Sequence, residues 1–274
     1  MTDHQQPLSE EPSPTEIKLS VVSTTGAWPS RSADLEVVIP TLGLRLCWDD
    51  LELRLADDRE LLALADLAAD GVHDPDVSPF SRPWAQGTRE EVRRSVVTRQ
   101  WIRRGRIAVD DWSLAFGVFR DGEIIGTQAV SAKDFQVTRS GHTGSWLGLR
   151  HQGQGIGTRM RLMALHLAFE GLDAAEMLSE AFEDNPASNA VSRRLGYATN
   201  GSRLTAREET SVVETGYRMT RELWDARPDN LRPEIVLDGL SPVRTLFGLD
   251  RPDHAVADVA LLPGTEREDE HHRA

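Results

Sequence analysis

The sequence predicts a mixed α/β (α+β) fold: one central, mixed, mostly antiparallel sheet with helices on both faces. Three observations point there. Asp121-Gly122 separates two apolar runs, 113–120 and 123–132, which is a β-hairpin signature. The glycine-rich stretch 152–157 follows a strand-like segment and opens a helix whose apolar residues recur at helical spacing. The surrounding order is strand, two helices, antiparallel strands, helix, strand, helix, then two strands. That is neither uniform β-α alternation nor an all-antiparallel pattern.

The elements follow in chain order. Residues 1–34 are rich in Pro, Ser, Thr and Glu and read as a poorly ordered tail, with the apolar triplet Val37-Val38-Ile39 just beyond it. The main domain is expected over 35–226. Residues 44–48 alternate like a strand, and Cys47 within them reads as a packed structural cysteine. Leu51, Leu53 and Leu55 alternate with Glu52 and Arg54 as in a half-buried strand. Asp57 or Asp58 can cap a helix carrying Leu61, Leu62, Leu64, Ala65, Leu67 and Ala68, and Gly71 ends it. Prolines keep 73–84 irregular. Thr88 and Glu91 form a capping box that opens a helix running through about Ile102.

After the hairpin, a third strand is expected at about 144–149. Ile156, Met160, Met163 and Leu167 then mark a helix that Gly171 stops. A strand at 175–182, a helix at 185–195 and strands near 197–207 and 211–219 follow. Thr220 can cap a last turn containing Trp224. Residues 227–252 form an extension. Its Glu234-Ile235-Val236-Leu237 looks like a strand that pairs within the chain or with a second subunit, so a homo-oligomer stays open. Residues 253–274 read as an acidic tail.

Composition bounds the partners. A chain of 274 residues, 39% hydrophobic and 27% charged, suits a soluble globular protein of one large or two small domains. There is no apolar run of about eighteen residues, and the N-terminus lacks a basic start with an apolar run, so no membrane and a cytoplasmic location are expected. A net charge of −13 argues against nucleic acid, which needs a basic face. It is compatible with a basic amine substrate, and it also simply favours solubility. The single cysteine excludes an internal disulfide and a multi-cysteine metal site, and no metal is expected.

The glycine turn Gln152-Gly153-Gln154-Gly155-Ile156-Gly157 carries the chemistry. Its glycines let backbone N–H groups approach a ligand, and the unpaired N–H groups and dipole of a helix start favour a pyrophosphate. A P-loop requires Gly-Lys-Ser/Thr, but Gly157-Thr158-Arg159 stands here. A dinucleotide loop requires G-x-G-x-x-G, but counting from Gly153 places Thr158 last. An acidic residue at Glu176 or Glu180 does lie at a suitable distance, yet the upstream hairpin does not suit a parallel dinucleotide fold, which disfavours an oxidoreductase. The pattern Q/R-x-x-G-x-G/A fits Gln152, Gly155 and Gly157.

With that turn, two segments carry a family resemblance. One is Gly144-Ser145-Trp146-Leu147-Gly148-Leu149-Arg150-His151. The other is Asp184-Asn185-Pro186-Ala187-Ser188-Asn189-Ala190-Val191-Ser192-Arg193-Arg194-Leu195-Gly196-Tyr197. Over roughly residues 41–225 the chain resembles the GCN5-related N-acetyltransferase (GNAT) superfamily. Within it, the chain resembles the Rim-type ribosomal-protein-alanine branch and actinobacterial relatives, some described as succinyltransferases.

The resemblance implies a GNAT fold and acetyl-CoA or succinyl-CoA as co-substrate, with no metal. The pyrophosphate would rest on Gln152, Gly153, Gln154, Gly155, Ile156, Gly157 and Thr158. The pantetheine arm would run beside Trp146, Leu147, Gly148 and Leu149, pairing like an extra strand. Asn185 would contact the arm, and Ser188 would protonate the leaving thiolate. Helix capping is the other reading of Asn185 and Ser188. Rim-type enzymes use a glutamate about twenty residues beyond that serine, a spacing that Glu208 meets, though a solvated surface glutamate fits as well. Asp134 is a candidate for binding the substrate amine. His151 at the helix start would help hold phosphate or face water.

The loop 73–84 would cover the acceptor. His73, Phe80 and Trp84 are its candidate contacts, with loop packing the alternative for the two larger aromatics. The expected partners are an acyl-CoA and an amine acceptor: a protein N-terminus, a lysine or a small amine. The competing reading is a non-catalytic, regulatory CoA-binding module, which would lack the serine and the glutamate.

Overall fold

The structure is a computed structural model that describes residues 33–74 and 79–250. The tail expected at 253–274, nearly all of that expected at 1–34, and the loop centre at 75–78 lie outside the described residues.

Local signals place most elements. Helix α1 (Ala33–Val38) contains most of the apolar triplet, with Val37 and Val38 exposed. Strands β1 (Arg45–Trp48) and β2 (Leu51–Arg54) form a hairpin around Asp49, whose φ of 52° bends the chain back. Helix α2 (Asp58–Ala69) is capped by Asp57 rather than Asp58, in a reciprocal box with Glu60. Helix α3 (Arg89–Gly105) has the expected box between Thr88 and Glu91. It runs past Ile102, where Arg103 and Arg104 suit the negative end of the helix dipole. Strands β3 (Asp111–Arg120) and β4 (Glu123–Lys133) turn at Asp121-Gly122, with φ of 50° and 82°. A tight hairpin requires positive φ at both positions.

Short helix α4 (Phe135–Thr138) leads into strand β5 (Ser140–Leu147). This strand corrects the expected 144–149. Ser140-Gly141-His142-Thr143 has no apolar alternation, yet β4 offers it a backbone ladder up to Ser131↔His142. Residues 149–151 instead form a 3₁₀ turn. Then come α5 (Ile156–His166), continued by a π turn to Gly171, β6 (Glu176–Phe182), α6 (Pro186–Arg194), β7 (Ala198–Arg207), β8 (Thr210–Thr220), and α7 (Arg221–Asp225) capped by Thr220.

The sheet runs β7-β8-β6-β5-β4-β3-β2-β1-β9, where β9 is Val236–Asp238. Every neighbour pair is antiparallel except β5–β6. Successive side chains on a strand face opposite sides. Thus Val118 and Ile125 enter a core with α5, whereas Phe119 and Ile124 enter a second core with α2 and α3.

The strand expected near 234–237 pairs within the chain, on β1, through Leu46↔Leu237. Helix α8 (Leu240–Leu246) follows, and Phe247 stacks on Trp112 at 4.5 Å. Val243 and Phe247 are fully buried, so residues beyond 226 complete the same core. Cys47 is partly buried on β1, and burial, reinforced by Glu52 and Asp238, pushes its thiol pKa up. A thiol so shifted is a poor nucleophile. Among the described residues no helix is long and apolar enough to cross a membrane, and no three metal-ligating side chains converge.

Candidate active site

An opening in the sheet organises the site. Strands β5 and β6 pair only from Ser140–His142 to Glu176–Leu178. Beyond that point β5 stays with β4 through Leu147, while β6 stays with β8 through Phe182. The two strands therefore diverge. One wall leads into the glycine turn and the other into α6.

The first wall is built from close approaches. A Cβ on Gly148 would lie 2.4 Å from the Leu67 side chain of α2, so any larger residue would force Leu67 to shift. The Leu149 N–H donates to Gly71 O at 3.0 Å. Gln152 Nε2 donates to Val72 O at 2.8 Å and to Leu147 O at 2.9 Å, so its side chain shapes the turn. Gly153 and Gly155 have φ of 72° and 78°, a conformation that costs a side-chain-bearing residue about 1–2 kcal/mol. Gly155 is the N-cap of α5, and the next N–H groups, starting with Ile156 and Gly157, lack intrahelical partners.

Arg120 donates to Gln154 Oε1 at 3.0 Å and pairs with Asp50, which also holds Arg159 at 2.7 Å. The Arg159 bond is the main cause of the lowered Asp50 pKa. His151 precedes the turn, and burial and Arg150 hold its pKa down. A glycine turn with free amides and cations at its rim fits a pyrophosphate.

The second wall is the start of α6. Asn185 Oδ1 accepts from the Ser188 N–H at 3.1 Å, so Asn185 does cap the helix. This cap leaves Ser188 half-buried in the first helical turn. Asn189 braces the same turn. Its Nδ2 donates to Phe182 O and Asn185 O, both at 2.8 Å, and its Oδ1 accepts from the Tyr217 hydroxyl at 2.7 Å. Asn189 and Tyr217 are buried. The sequence reading missed this brace, because its partner comes from a distant strand.

The two faces of the opening differ. On the face toward α2 and α3, even-numbered residues project. His142 Nδ1 lies 3.4 Å from Glu180 Oε1, bridging the strands where pairing stops. That hydrogen bond raises the His142 pKa and lowers the Glu180 pKa, with burial opposing it in both. An aromatic ladder closes the same face: His73–Phe80 at 5.7 Å, Phe80–Trp84 at 4.8 Å, and Trp84–Trp146 at 5.4 Å. Trp84 thus packs directly on β5, with Phe80 and His73 in line behind it.

On the α5 face, Arg161 reaches across the gap. Its Nη1 donates to Ser179 Oγ on β6 at 2.9 Å and its Nη2 to Ser145 Oγ on β5 at 3.2 Å. Arg161 Nε is buried without a hydrogen-bond partner, and Arg161 and Thr143 oppose the rise that burial imposes on the Tyr197 pKa.

The structure thus brings Trp146, the turn 152–158, Asn185 and Ser188 around one opening, with His73, Phe80 and Trp84 beside it. The other two expected residues, Asp134 and Glu208, are exposed. Asp134 lies beyond the Ser131↔His142 pair, at the closed end of the β5–β6 contact. Its side chain is exposed and its backbone N–H donates to Asp110 O. Glu208 is exposed in the β7–β8 turn with φ of 55°, beside Arg207, which pairs with Asp184. Glu180 and His142 are the ionisable pair that geometry places in the opening. The available signal was that Glu180 falls at an outward position of the strand entering the Asn185 motif.

A family model described as "Acetyltransferase (GNAT) domain" matches residues 50–198. Among solved structures, the chain is similar to Mycobacterium smegmatis RimJ in complex with CoA-disulfide. Identity is 21%, 67% of this chain and 90% of that chain are covered, and the TM-score is 0.53. It is also similar to a GNAT-family acetyltransferase from Bacillus anthracis, at 14% identity, 65% and 99% coverage, and a TM-score of 0.52. At these identities the likeness is one of fold.

Proposed function

The chain belongs to the GNAT acetyltransferase domain family, and from that premise we propose that it is an N-acyltransferase of the Rim-type branch, moving an acetyl or succinyl group from CoA to a primary amine by direct attack. The observation that carries this reading is the opening between β5 and β6, with the glycine turn at one wall and the capped Asn185–Ser188 turn at the other. The backbone of Gln152, Gly153, Gln154, Gly155, Ile156, Gly157 and Thr158 holds the pyrophosphate. Trp146, Leu147, Gly148 and Leu149 flank the pantetheine arm, and Asn185 contacts it while capping α6.

The thioester supplies an electrophilic carbon, and this chain's residues manage the protons. An ammonium cannot attack, so a base must accept the proton from the amine. Glu180, ionised and facing the acceptor side, takes that role with His142 beside it. Glu208, favoured by spacing alone, stands in the exposed β7–β8 turn and is the second candidate. The new C–N bond forms and the C–S bond breaks, and Ser188 passes a proton to the departing thiolate while its own hydroxyl is reprotonated from solvent. The loop carrying His73, Phe80 and Trp84 borders the acceptor, which is a protein N-terminus, a lysine or a small amine.

Purified protein incubated with acetyl-CoA or succinyl-CoA and a panel of amines and peptides tests this by release of free thiol, alongside calorimetric titration with CoA. Amine-dependent thiol release is expected. CoA binding without turnover on any amine would favour the regulatory module, and absence of CoA binding would defeat both readings.

A further inference from the structure

Val92, Val96, Arg99, Arg103 and Arg106 follow one another at spacings of four, three, four and three, so they share one stripe of α3 and its C-cap. The two valines are buried in the second core. The stripe then turns cationic. Arg99 and Arg103 are half-buried, and Arg106 is exposed. Among the described residues no carboxylate forms an ion pair with any of the three, whereas Arg89, Arg93 and Arg104 of the same helix pair with Asp66, Asp70, Glu90 or Asp58. Arg99 Nε is buried without a hydrogen-bond partner. Burial, and then Arg99 beside it, hold the Arg103 pKa down. The helix dipole offsets part of this charge. Two half-buried like charges one turn apart still lack a counter-ion.

Which anion would meet that need? The phosphates of CoA are excluded by position. Helix α3 leads into Asp111, which pairs with Lys133 near the closed end of the β5–β6 contact, whereas the glycine turn follows Leu147, which pairs with Gly126 at the other end of β4. An amine acceptor is excluded by the sign of its charge. The chain carries an anion of its own, the acidic run Glu266, Glu268, Asp269 and Glu270, which lies outside the described residues. The described chain ends near the stripe. Gln136 Nε2 donates to Phe247 O at 2.9 Å and to Val109 O at 3.4 Å, tying the end of α8 to the connection between α3 and β3. The six residues from Arg103 to Val109 span at most about 22 Å, and the sixteen from Asp250 to Glu266 reach up to about 55 Å. A tether of that length gives an effective concentration in roughly the millimolar range, so a contact with a Kd of about 1 mM is already about half formed.

We propose that the acidic run at 266–270 docks on Arg99, Arg103 and Arg106 of the same chain, an intramolecular contact that covers the C-terminal end of α3. This surface is separate from the donor site, and the proposal stands or falls independently of the transfer reaction.

The test uses the full chain carrying Cys47→Ser and His271→Cys, so that a single nitroxide label reports on the acidic run. At low salt, an immobilised component from at least about half of the spins is expected. Arg99→Gln with Arg103→Gln should reduce that fraction about fivefold or more, as should about 0.5 M salt. Glu266→Lys, Glu268→Lys, Asp269→Lys and Glu270→Lys together should do the same while leaving every described residue unchanged, which decides the matter should the arginine variant fail to fold. Joining those four changes to Arg99→Glu and Arg103→Glu should restore the immobilised fraction.

A mobile label in the native chain overturns the proposal and leaves the stripe to an acidic partner in trans. An immobilised fraction that neither the arginine nor the tail changes reduce overturns it too. The fraction should hold on dilution by about tenfold, and a fall would mean that the run binds a second copy and would overturn the intramolecular assignment.

Discussion

The two faces of the β5–β6 opening are built from neighbouring residues of the same strands, yet they are electrostatically opposite. Toward α2 and α3, His142 and Glu180 form a half-exposed pair that satisfies itself, under a loop held on by aromatic contacts. Toward α5, Arg161 is buried, cationic and incompletely bonded. The difference follows from the strand repeat, which sends residues 142 and 180 one way and residues 145 and 179 the other. It teaches that a single break in a sheet can present two different environments: a solvent-facing ion pair on one side and a buried cation on the other.

If the proposed donor walls and acceptor face divide the work, substitutions should separate binding from turnover. The largest effect is expected at the donor wall. Gly155→Glu forces a side chain into a left-handed backbone and sets a carboxylate beside the phosphate amides, so CoA affinity should fall by about 100-fold or more in calorimetry, while the strain lowers the unfolding transition by only about 2–8 °C. Unaltered affinity would mean the turn does not hold the phosphates. Next comes the acceptor face. Glu180→Gln should lower kcat by roughly 100-fold while CoA affinity is preserved, and Glu208→Gln should leave kcat near the native value. The reverse ranking would return the base to the β7–β8 turn.

Between the walls, Ser188→Ala should slow turnover by about tenfold with near-normal CoA binding, a modest loss because a thiolate leaves readily even without a proton donor. The smallest effect is on pH dependence. Below the raised pKa of His142 its imidazolium ties up Glu180. As pH rises through that value the carboxylate is released, so kcat/KM should rise with pH. In His142→Asn that rising limb should move to lower pH, and a coincident profile would remove His142 from the proton path. The pair also contributes stability, complete below the ordinary histidine pKa and lost as pH climbs through the raised one. On the acid side that contribution fades as pH falls through the depressed pKa of Glu180.

Much of the site was legible because its signals are local. The glycine turn, the Asn185 cap, the cap of α2, the Thr88–Glu91 capping box and the Asp121-Gly122 hairpin each depend on residues within a few positions of one another, and each formed where expected. Other features were not legible. The first half of β5 has no strand pattern and forms because β4 pairs with it. Spacing along the chain pointed to Glu208, but a hairpin carries that residue into an exposed turn. Arg161 is one of several polar residues on α5, and nothing in its neighbours announces that two serines from separate strands meet it.

The sequence by itself determined the family, the mixed sheet and the glycine turn at the start of α5, since backbone conformation and helix starts are set by short-range sterics and hydrogen bonding. Only the tertiary structure decided which carboxylate stands in the opening, that the extension after 226 closes on β1 and stacks Phe247 on Trp112, and that an arginine lies buried where the strands part. Those outcomes depend on strand pairing and packing between residues far apart in the chain, and no local pattern encodes the distance between two side chains that meet only when the sheet is assembled.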